Sequence, residues 1–184
     1  TPITVIMSVI QLVQVKNNEY KNNHNIEIIN SNCQRLLRLI NNIIDIEKFD
    51  NHKLKLDLEN INIVNLIEDI ISSINPYAKS KNLRIIFDTN DEDIVMALDC
   101  AKIERVLLNL LSNAIKFSYV DGIIYVNVNK KEENVIISIR DFGIGMSEKY
   151  LDKIFDRFIQ VDNTMTRKNE GSGIGLSIVK SFVS

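Results

Sequence analysis

Apolar residues near the start of the chain recur with alternating gaps of three and four residues. The first group is Ile3, Ile6, Ile10 and Val13, and the second, after a polar interval, is Ile26, Ile29, Cys33, Leu36, Ile40 and Ile43. Such gaps are typical of the a and d positions of helices that pack along a common seam. The interval KNNEYKNNHN is rich in asparagine and has the composition of a turn. Residues 1 to about 49 are therefore predicted to form a helical hairpin.

A hairpin of this kind needs a further surface to pack on, because two helices alone bury too little apolar area to be stable. It could pack on its own chain, or pair with a second copy into a four-helix bundle. Further apolar positions widen both stripes beyond what one partner helix covers, namely Met7, Leu12, Leu37 and Ile44. This width favours the homodimer.

The pattern changes from about residue 53 onward. A short alternating run lies near Lys53 to Leu58, and a helical pattern follows over about Ile63 to Lys81. The runs LRIIFDT and IVMALD have strand composition, a second helix is predicted over about Cys100 to Phe117, and Asp121-Gly122 forms a turn into the strands IIYVNV and NVIISIR. The last two strands are joined too closely for a crossover, so the sheet is predicted to be largely antiparallel.

The predicted fold class is thus α+β, with a helical hairpin over residues 1–52 followed by a two-layer α/β domain over residues 53–184.

Composition excludes several classes of function. Lys and Arg total 22 against 24 Asp and Glu, a net charge of -2 that gives no indication of a nucleic-acid partner. Cys33 and Cys100 show neither CxxC nor Cys/His spacing, so no disulfide framework or zinc site is predicted, and a reducing cytoplasm fits. The apolar stretch VIMSVIQLVQV is interrupted by glutamines and is shorter than the roughly 20 residues of a spanning helix. We expect a soluble piece, which could be the cytoplasmic part of an anchored protein.

A glycine loop precedes the last helical segment, in NEGSGIGLSIVK. Gly171, Gly173 and Gly175 occupy every second position, without the Gly-Lys-Ser/Thr of a Walker loop and without the preceding strand of a dinucleotide fingerprint. A glycine loop that opens a helix still presents free backbone N–H groups and the positive end of the helix dipole, which suit an anion. An ordinary flexible turn is the alternative.

A second glycine motif, DFGIGM, follows the last predicted strand. Asp141 could accept a hydrogen bond from an exocyclic amine such as that of adenine, while Gly143 and Gly145 would permit close approach of a ring. The alternative is a turn capped by the aspartate.

The segment ERVLLNLLSNAIKFS places polar residues at helical spacing. Asn109, Asn113 and Phe117 follow one another in steps of four and share a helix face, with Lys116 beside them. Because asparagine is a poor helix former, two of them among leucines need an explanation. One is hydrogen bonding to the backbone; the other is an amide oxygen on hydrated Mg²⁺, with the lysine on phosphates.

These three elements, in this order, resemble the catalytic core of bacterial sensor histidine kinases, of the Bergerat-fold ATPase group. NLLSNAIKF is similar to the family's N box, DFGIGM to its first glycine box, FDRF to its F box and GSGIGL to its second glycine box, while TPITVI resembles the tail of its phosphoacceptor box. The resemblance covers essentially the whole chain. It implies that the glycine loop closes over the β- and γ-phosphates of ATP.

The resemblance also implies a role for each matching residue. Asn113 would hold Mg²⁺, Asn109 and Lys116 would contact phosphates, Phe117 would lie along the adenine, and Asp141 would bind its amino group. The nucleotide-binding residues of the two glycine boxes are Gly143, Gly145, Gly171, Gly173, Gly175 and Leu176.

The residues implied to act in catalysis are Lys116, Arg157 and Thr1. Arg157 would approach the phosphates, and Thr1 matches the position that helps to orient water for dephosphorylating the partner. A lid over roughly Met146 to Ser172 is expected to be the most mobile part of the domain.

The pattern is incomplete at both ends. The family's phosphoaccepting histidine would fall three residues before Thr1, and His24 and His52 lack the Thr-Pro that follows it, so both are interpreted as surface residues. After IVKSFVS the family adds a glycine turn and two strands, which are expected to complete the sheet.

The implied function is the dimerisation and ATP-binding core of a sensor histidine kinase. The complete protein would transfer the γ-phosphoryl group of Mg·ATP to a histidine of the hairpin and then to an aspartate of a response-regulator receiver domain, with the linker Phe49 to Leu54 as a hinge. Asn109 occupies the place of the glutamate that activates water in hydrolysing relatives, which favours transfer over hydrolysis. A non-catalytic scaffold that binds nucleotide and dimerises is the alternative.

Overall fold

The computed structural model describes residues 3, 5–10, 26, 28–29, 32–33, 36–37, 40–44, 47, 55–160 and 173–183. The chain divides into two compact units, Thr1–Lys53 and Leu54–Ser184. The predictions that concern Thr1, His24, His52, the linker over 49–54 and Gly171 lie outside the described residues. No helix among these ranges is long and apolar enough to cross a bilayer.

The described residues between 3 and 47 of the N-terminal unit are helical. Ile10 and Cys33 are buried, whereas other seam positions are exposed, including Ile6, Ile29 and Ile43. The interval predicted to form the turn, residues 16–25, lies outside the described part, so the hairpin itself remains a prediction.

The second unit alternates strands and helices. In chain order its elements are β1 (Glu59–Asn62), α1 (Ile63–Ser80), β2 (Arg84–Thr89), β3 (Val95–Leu98), α2 (Cys100–Phe117), β4 (Ile123–Lys131), β5 (Asn134–Arg140), a 3-10 turn (Glu148–Tyr150) and α3 (Gly175–Val183). Helix α2 has the predicted bounds, and α1 ends one residue before the predicted end. The mixed α/β architecture of this unit confirms the predicted fold class.

The strands form two sheets in the described ranges. Strands β1 and β3 pair antiparallel, with Glu59 opposite Leu98. The larger sheet has the order β2-β4-β5, in which β2 runs parallel to β4. Strands β4 and β5 are antiparallel, with Tyr125 opposite Arg140, which confirms the predicted pairing of the last two strands.

The core lies between the helices and one face of the larger sheet. Side chains alternate between the two faces of a strand, and in β4 the inward positions Ile124, Val126 and Val128 are fully buried. They share one apolar cluster with Ile67 of α1 and Leu111 of α2. This packing fixes both helices against the sheet and so orients the polar face of α2.

The alternating run near Lys53 to Leu58 does not form a strand over its described residues. Residues 55–58 have no regular structure, and Leu56 and Leu58 are exposed. The strand β1 begins only at Glu59, and its residues Glu59–Asn62 pair with the four residues of β3. The Asp57 N–H instead donates to the Asp99 carboxylate at 3.1 Å.

Candidate functional site

Helix α2 carries the candidate amides, and its first turn is fixed by Asp99. One oxygen of this buried carboxylate accepts from the Lys102 N–H at 3.1 Å, which caps the helix. The apolar stripe that faces the core is Val106, Leu107, Leu111, Ala114 and Ile115. Asn109, Asn113 and Lys116 are half-buried at the edge of this stripe. The helix thus presents these three residues at the border between core and surface.

Asn109 lies directly beside the start of α3. Its Nδ2 donates to the Arg105 carbonyl at 2.9 Å, which leaves Oδ1 as the free end of the amide. A Cβ added at Gly175 would lie 3.0 Å from this Oδ1. The absence of a side chain at position 175 therefore permits the second glycine box to approach the N-box helix. The bond from Nδ2 is the backbone hydrogen bond that the sequence left open for a helical asparagine, and it does not engage Oδ1.

Asn113 and Lys116 follow toward the end of the helix. Within the described part of the chain, the Asn113 amide makes no hydrogen bond although it is half-buried. A half-buried amide without a protein partner can bind a polar ligand in place of water. The Lys116 Nζ lies 4.9 Å from the centroid of the Phe117 ring. The lysine and the aromatic ring are thus neighbours, as predicted from their positions on the helix.

The carboxyl end of α2 touches the first glycine box. The Ile144 N–H donates to the Phe117 carbonyl at 3.1 Å. A Cβ at Gly143 would lie 2.6 Å from the Phe117 carbonyl carbon and 2.9 Å from the Ser118 Cα, distances that side chains do not adopt. Position 143 therefore requires glycine for close backbone packing. Gly145 has a φ of +61° and open space around it, so its requirement is conformational.

Asp141 follows β5 directly and is exposed. Its Oδ1 accepts from the Gly143 N–H at 3.0 Å, the aspartate-capped turn that the sequence left open. The second oxygen makes no hydrogen bond to any residue that the structure describes. One oxygen shapes the turn, and the other makes no hydrogen bond to the described residues, so the capped turn does not use the whole carboxylate.

The F box contacts the second glycine box. The Phe158 N–H donates to the Gly173 carbonyl at 2.9 Å, and a Cβ at Gly173 would lie 2.8 Å from the Phe158 backbone. Gly173 also has a φ of +68°. Arg157, next to this contact, is exposed, and Leu176 is half-buried in α3. Position 158, which lies within the predicted lid, is therefore joined to position 173 directly after it, while residues 161–172 lie outside the description.

These contacts bring the predicted motifs together along one helix. Asn109 lies against Gly175 of the second glycine box, and Phe117 lies against Gly143 of the first. The Phe158 N–H donates to the Gly173 carbonyl, so the F box also adjoins the second glycine box. No hydrogen bond joins Asp141 to Asn113 in the described ranges. Arg157 precedes Phe158 in the chain and is exposed.

Two features were missed by the sequence analysis. The first is a pair of cation–π contacts between α2 and α3. Lys102 Nζ and Arg105 Cζ of α2 lie 5.1 and 5.8 Å from the centroid of the Phe182 ring of α3. The Ser118 hydroxyl is buried without a hydrogen-bond partner among the described residues. The only sequence signal for Ser118 was its place directly after the N box.

Ionisable groups near α2 do not form a metal site by themselves. In the described ranges, no group of three or more His, Cys, Asp or Glu side chains could hold a metal ion. Burial, followed by the charge of Glu59, raises the pKa of the Cys100 thiol, so this thiol is protonated at neutral pH. A metal at the helix face would therefore depend on amide oxygens and on a ligand's own oxygens.

Comparison with known proteins agrees with this arrangement. Residues 99–184 match the family described as histidine kinase-, DNA gyrase B-, and HSP90-like ATPase. The chain is 36% identical over 158 residues to the sensor histidine kinase WalK of Bacillus subtilis (strain 168), a match that spans 85% of this chain and 26% of WalK.

Two solved structures share the fold. Full-length ShkA in complex with AMPPNP has a TM-score of 0.74 at 22% identity, over 88% of this chain and 33% of ShkA. Histidine kinase ThkA in complex with the response regulator TrrA has a TM-score of 0.61 at 22% identity, over 91% of this chain and 51% of ThkA. The chain spans between 9% and 26% of the length of the curated relatives it matches.

Proposed function

The chain carries the ATPase domain of a sensor histidine kinase, and from this premise we propose that it binds Mg·ATP and delivers the γ-phosphoryl group in a two-component phosphorelay. The observation that carries the proposal is the convergence on helix α2. Its middle touches Gly175 of the second glycine box and its carboxyl end touches Gly143 of the first. A nucleotide laid along this helix would reach both glycine motifs at once.

The two contacts suggest that the base lies at the first glycine box and the phosphates lie at the second. Asp141, with one oxygen available, would accept from the amino group of adenine, and Phe117 would lie along the ring. Asn109 and Lys116 would contact phosphates, together with the backbone N–H groups at the start of α3. Gly145, Gly171, Gly173 and Leu176 would complete the pocket and its lid.

The Asn113 amide is the group of this chain that fits Mg²⁺. It is half-buried and has no partner in the described part of the chain, and Mg²⁺ commonly takes few protein ligands beside phosphates and water. When bound, the ion would neutralise charge on the phosphate oxygens. The protein's own contribution is to position the phosphates against Lys116 and Arg157.

Transfer to a side chain is the reaction that these residues support. Asn109 cannot accept a proton from water, because an amide is not a base at neutral pH. Its Nδ2 is moreover held by the Arg105 carbonyl. The site thus offers no general base at this position for hydrolysis, while its charges still stabilise a transferring phosphoryl group.

The partners follow from the same premise. The phosphoacceptor would be a histidine of the hairpin three residues before Thr1, and Thr1 would help to orient water for dephosphorylating the partner. The exposed seam residues Ile6, Ile29 and Ile43 support pairing with a second copy as a homodimer. A response-regulator receiver domain would take the phosphoryl group, in the manner suggested by the ThkA complex with TrrA. These reactions would take place in the cytoplasm.

Nucleotide titration of this chain with and without Mg²⁺ tests the proposal. Asp141→Ala should abolish measurable binding, because it removes the acceptor for the base. Asn113→Ala should lose mainly the Mg²⁺-dependent part, about tenfold or more in Kd for ATP.

Matched controls on helix α1 are Asp69→Ala and Asn65→Ala, which remove the same chemical groups from exposed positions. Both should bind as the unaltered chain does. Equal binding by Asp141→Ala, or no binding by the unaltered chain, would contradict the proposal.

A further inference from the structure

Phe142 lies in the turn that follows β5, between Asp141 and Gly143. Its side chain is 52% exposed, so the ring contributes little to the core. The ring nevertheless has two specific neighbours. It meets the Tyr125 ring edge-on, with centroids 6.0 Å apart and an interplanar angle of 78°, and the Arg140 Cζ lies 4.8 Å from its centroid. Phe142 is therefore held by defined contacts rather than by burial.

These contacts lie on the outer face of the larger sheet. Tyr125 and Arg140 are opposite each other in the β4–β5 pair. Successive side chains of a strand point to opposite faces, and both neighbours of Tyr125 in β4, Ile124 and Val126, are fully buried. The Tyr125 ring is thus on the side of the sheet away from the core. Both contacts of Phe142 are attractive, since aromatic pairs favour edge-to-face arrangements and a guanidinium is attracted to the face of a ring.

The rest of the turn is fixed against helix α2. The Ile144 N–H donates to the Phe117 carbonyl at 3.1 Å, and Gly143 packs against the same residue without space for a Cβ. The Asp141 Oδ1 accepts from the Gly143 N–H at 3.0 Å. The turn is therefore attached to α2 on one side and, through Phe142, to the outer face of the sheet on the other. Because the Asp141 carboxylate is joined to Gly143 and adjoins Phe142 in the chain, both attachments fix its direction.

We propose that Phe142 is a positioning residue of the nucleotide site, which holds the Asp141 carboxylate in the direction needed to accept from the amino group of adenine. This inference rests on the proposed function and adds to it a residue that sets selectivity for the base. A hydrogen bond weakens steeply away from linear geometry, so a small rotation of the turn would weaken this one. The phosphate contacts proposed at Asn109 and Lys116 lie on α2 and do not depend on the ring.

Phe142→Ala tests this role with two nucleotides that differ only at the base amine. Purine riboside triphosphate lacks the exocyclic amino group of ATP, so it cannot donate to Asp141 from that position. In Phe142→Ala the Kd for ATP should rise by about three- to tenfold, while the Kd for purine riboside triphosphate stays within about twofold. Phe142→Tyr keeps the ring and should retain the selectivity. Phe142→Leu keeps an apolar side chain without a ring and should behave as Phe142→Ala does.

The matched control is Ile136→Ala, which removes an exposed apolar side chain from the same face of β5. It should change neither Kd. Equal rises of both Kd values in Phe142→Ala, or an unchanged Kd for ATP, would overturn the inference, because a purely structural ring does not distinguish between the two bases. Failure of the unaltered chain to bind ATP, or its equal affinity for both nucleotides, would instead refute the proposed function or its role for Asp141.

Discussion

The two units of the chain contain apolar helical stripes of the same kind, yet the side chains have different surroundings. In α1, Ile63, Ile67 and Ile74 are 1%, 0% and 9% exposed, because they share a core with the sheet. In the N-terminal unit, Ile6, Ile29 and Ile43 are 46%, 48% and 47% exposed. A hydrophobic period therefore predicts a helix and its apolar face, but not what covers that face. Within one chain the sheet covers the first stripe, and a second copy is proposed to cover the other.

The largest expected effect is on dimer formation through the apolar seam of the N-terminal unit. Ile43→Lys would place a charge in the proposed dimer interface, and two-fold symmetry introduces it twice. Burying a charge without a partner is costly, so we expect association to weaken by at least about 4 kcal/mol, or about a thousandfold in Kd. Sedimentation equilibrium of this chain measures the change directly.

Val120→Lys is the matched control, because Val120 is an apolar residue with 69% exposure in the second unit. It should leave the oligomeric state unaltered. If the unaltered chain is monomeric at every concentration, the proposed dimer is wrong.

The next effect lies in the core of the second unit. Ile67→Ala removes a fully buried side chain that packs against the sheet, and we expect unfolding free energy to fall by about 2–5 kcal/mol. Ile43→Ala, measured at dilutions where the chain is monomeric, should cost less than about 1 kcal/mol because little area is lost from a half-exposed site. Urea unfolding of both variants gives the two values. Equal losses would show that the two stripes are buried alike.

Most elements of the second unit could be predicted from the sequence because their signals are local. Helix α2 begins at an aspartate cap and ends where the backbone of Ser118 becomes extended, and β5 spans the predicted residues. The alternating run near Leu56 and Leu58 does not coincide with a strand, because alternation indicates an extended segment without revealing whether a pairing strand is available. That partner, β3, is more than thirty residues away in sequence and pairs with Glu59–Asn62 instead.

The site could be predicted as a set of motifs but not as a set of contacts. Spacing along α2 placed Asn109, Asn113 and Phe117 on one face, and helical geometry alone was sufficient for that. That Gly175 lies against Asn109 and Gly143 against Phe117 depends on packing between distant segments. The buried Ser118 hydroxyl depends on it as well, since a serine after a helix is ordinarily a solvated cap.

The smallest effect is expected at an exposed polar pair of the second unit. The backbone N–H of Asp93, and after it the Lys130 ammonium at 3.1 Å, hold the pKa of Asp91 below its ordinary value of 3.8. A lowered folded-state pKa stabilises the fold above the unfolded-state pKa, and this contribution is lost as the pH falls through the folded-state pKa. Asp91→Asn should therefore lower the Tm by less than about 2 °C at pH 7, since exposed pairs contribute little.

The Tm difference between the unaltered chain and Asp91→Asn should shrink toward zero at pH values well below 3.8, where the carboxylate becomes protonated. Thermal melts at neutral and acidic pH measure this difference, and a difference that persists in acid would show that Asp91 acts through packing. Asp91 and Ile43 are both exposed in the single chain, yet the expected effects of changing them are far apart. Water already solvates the first, whereas the second leaves apolar area uncovered, so the chemistry of an exposed side chain decides whether a partner is needed.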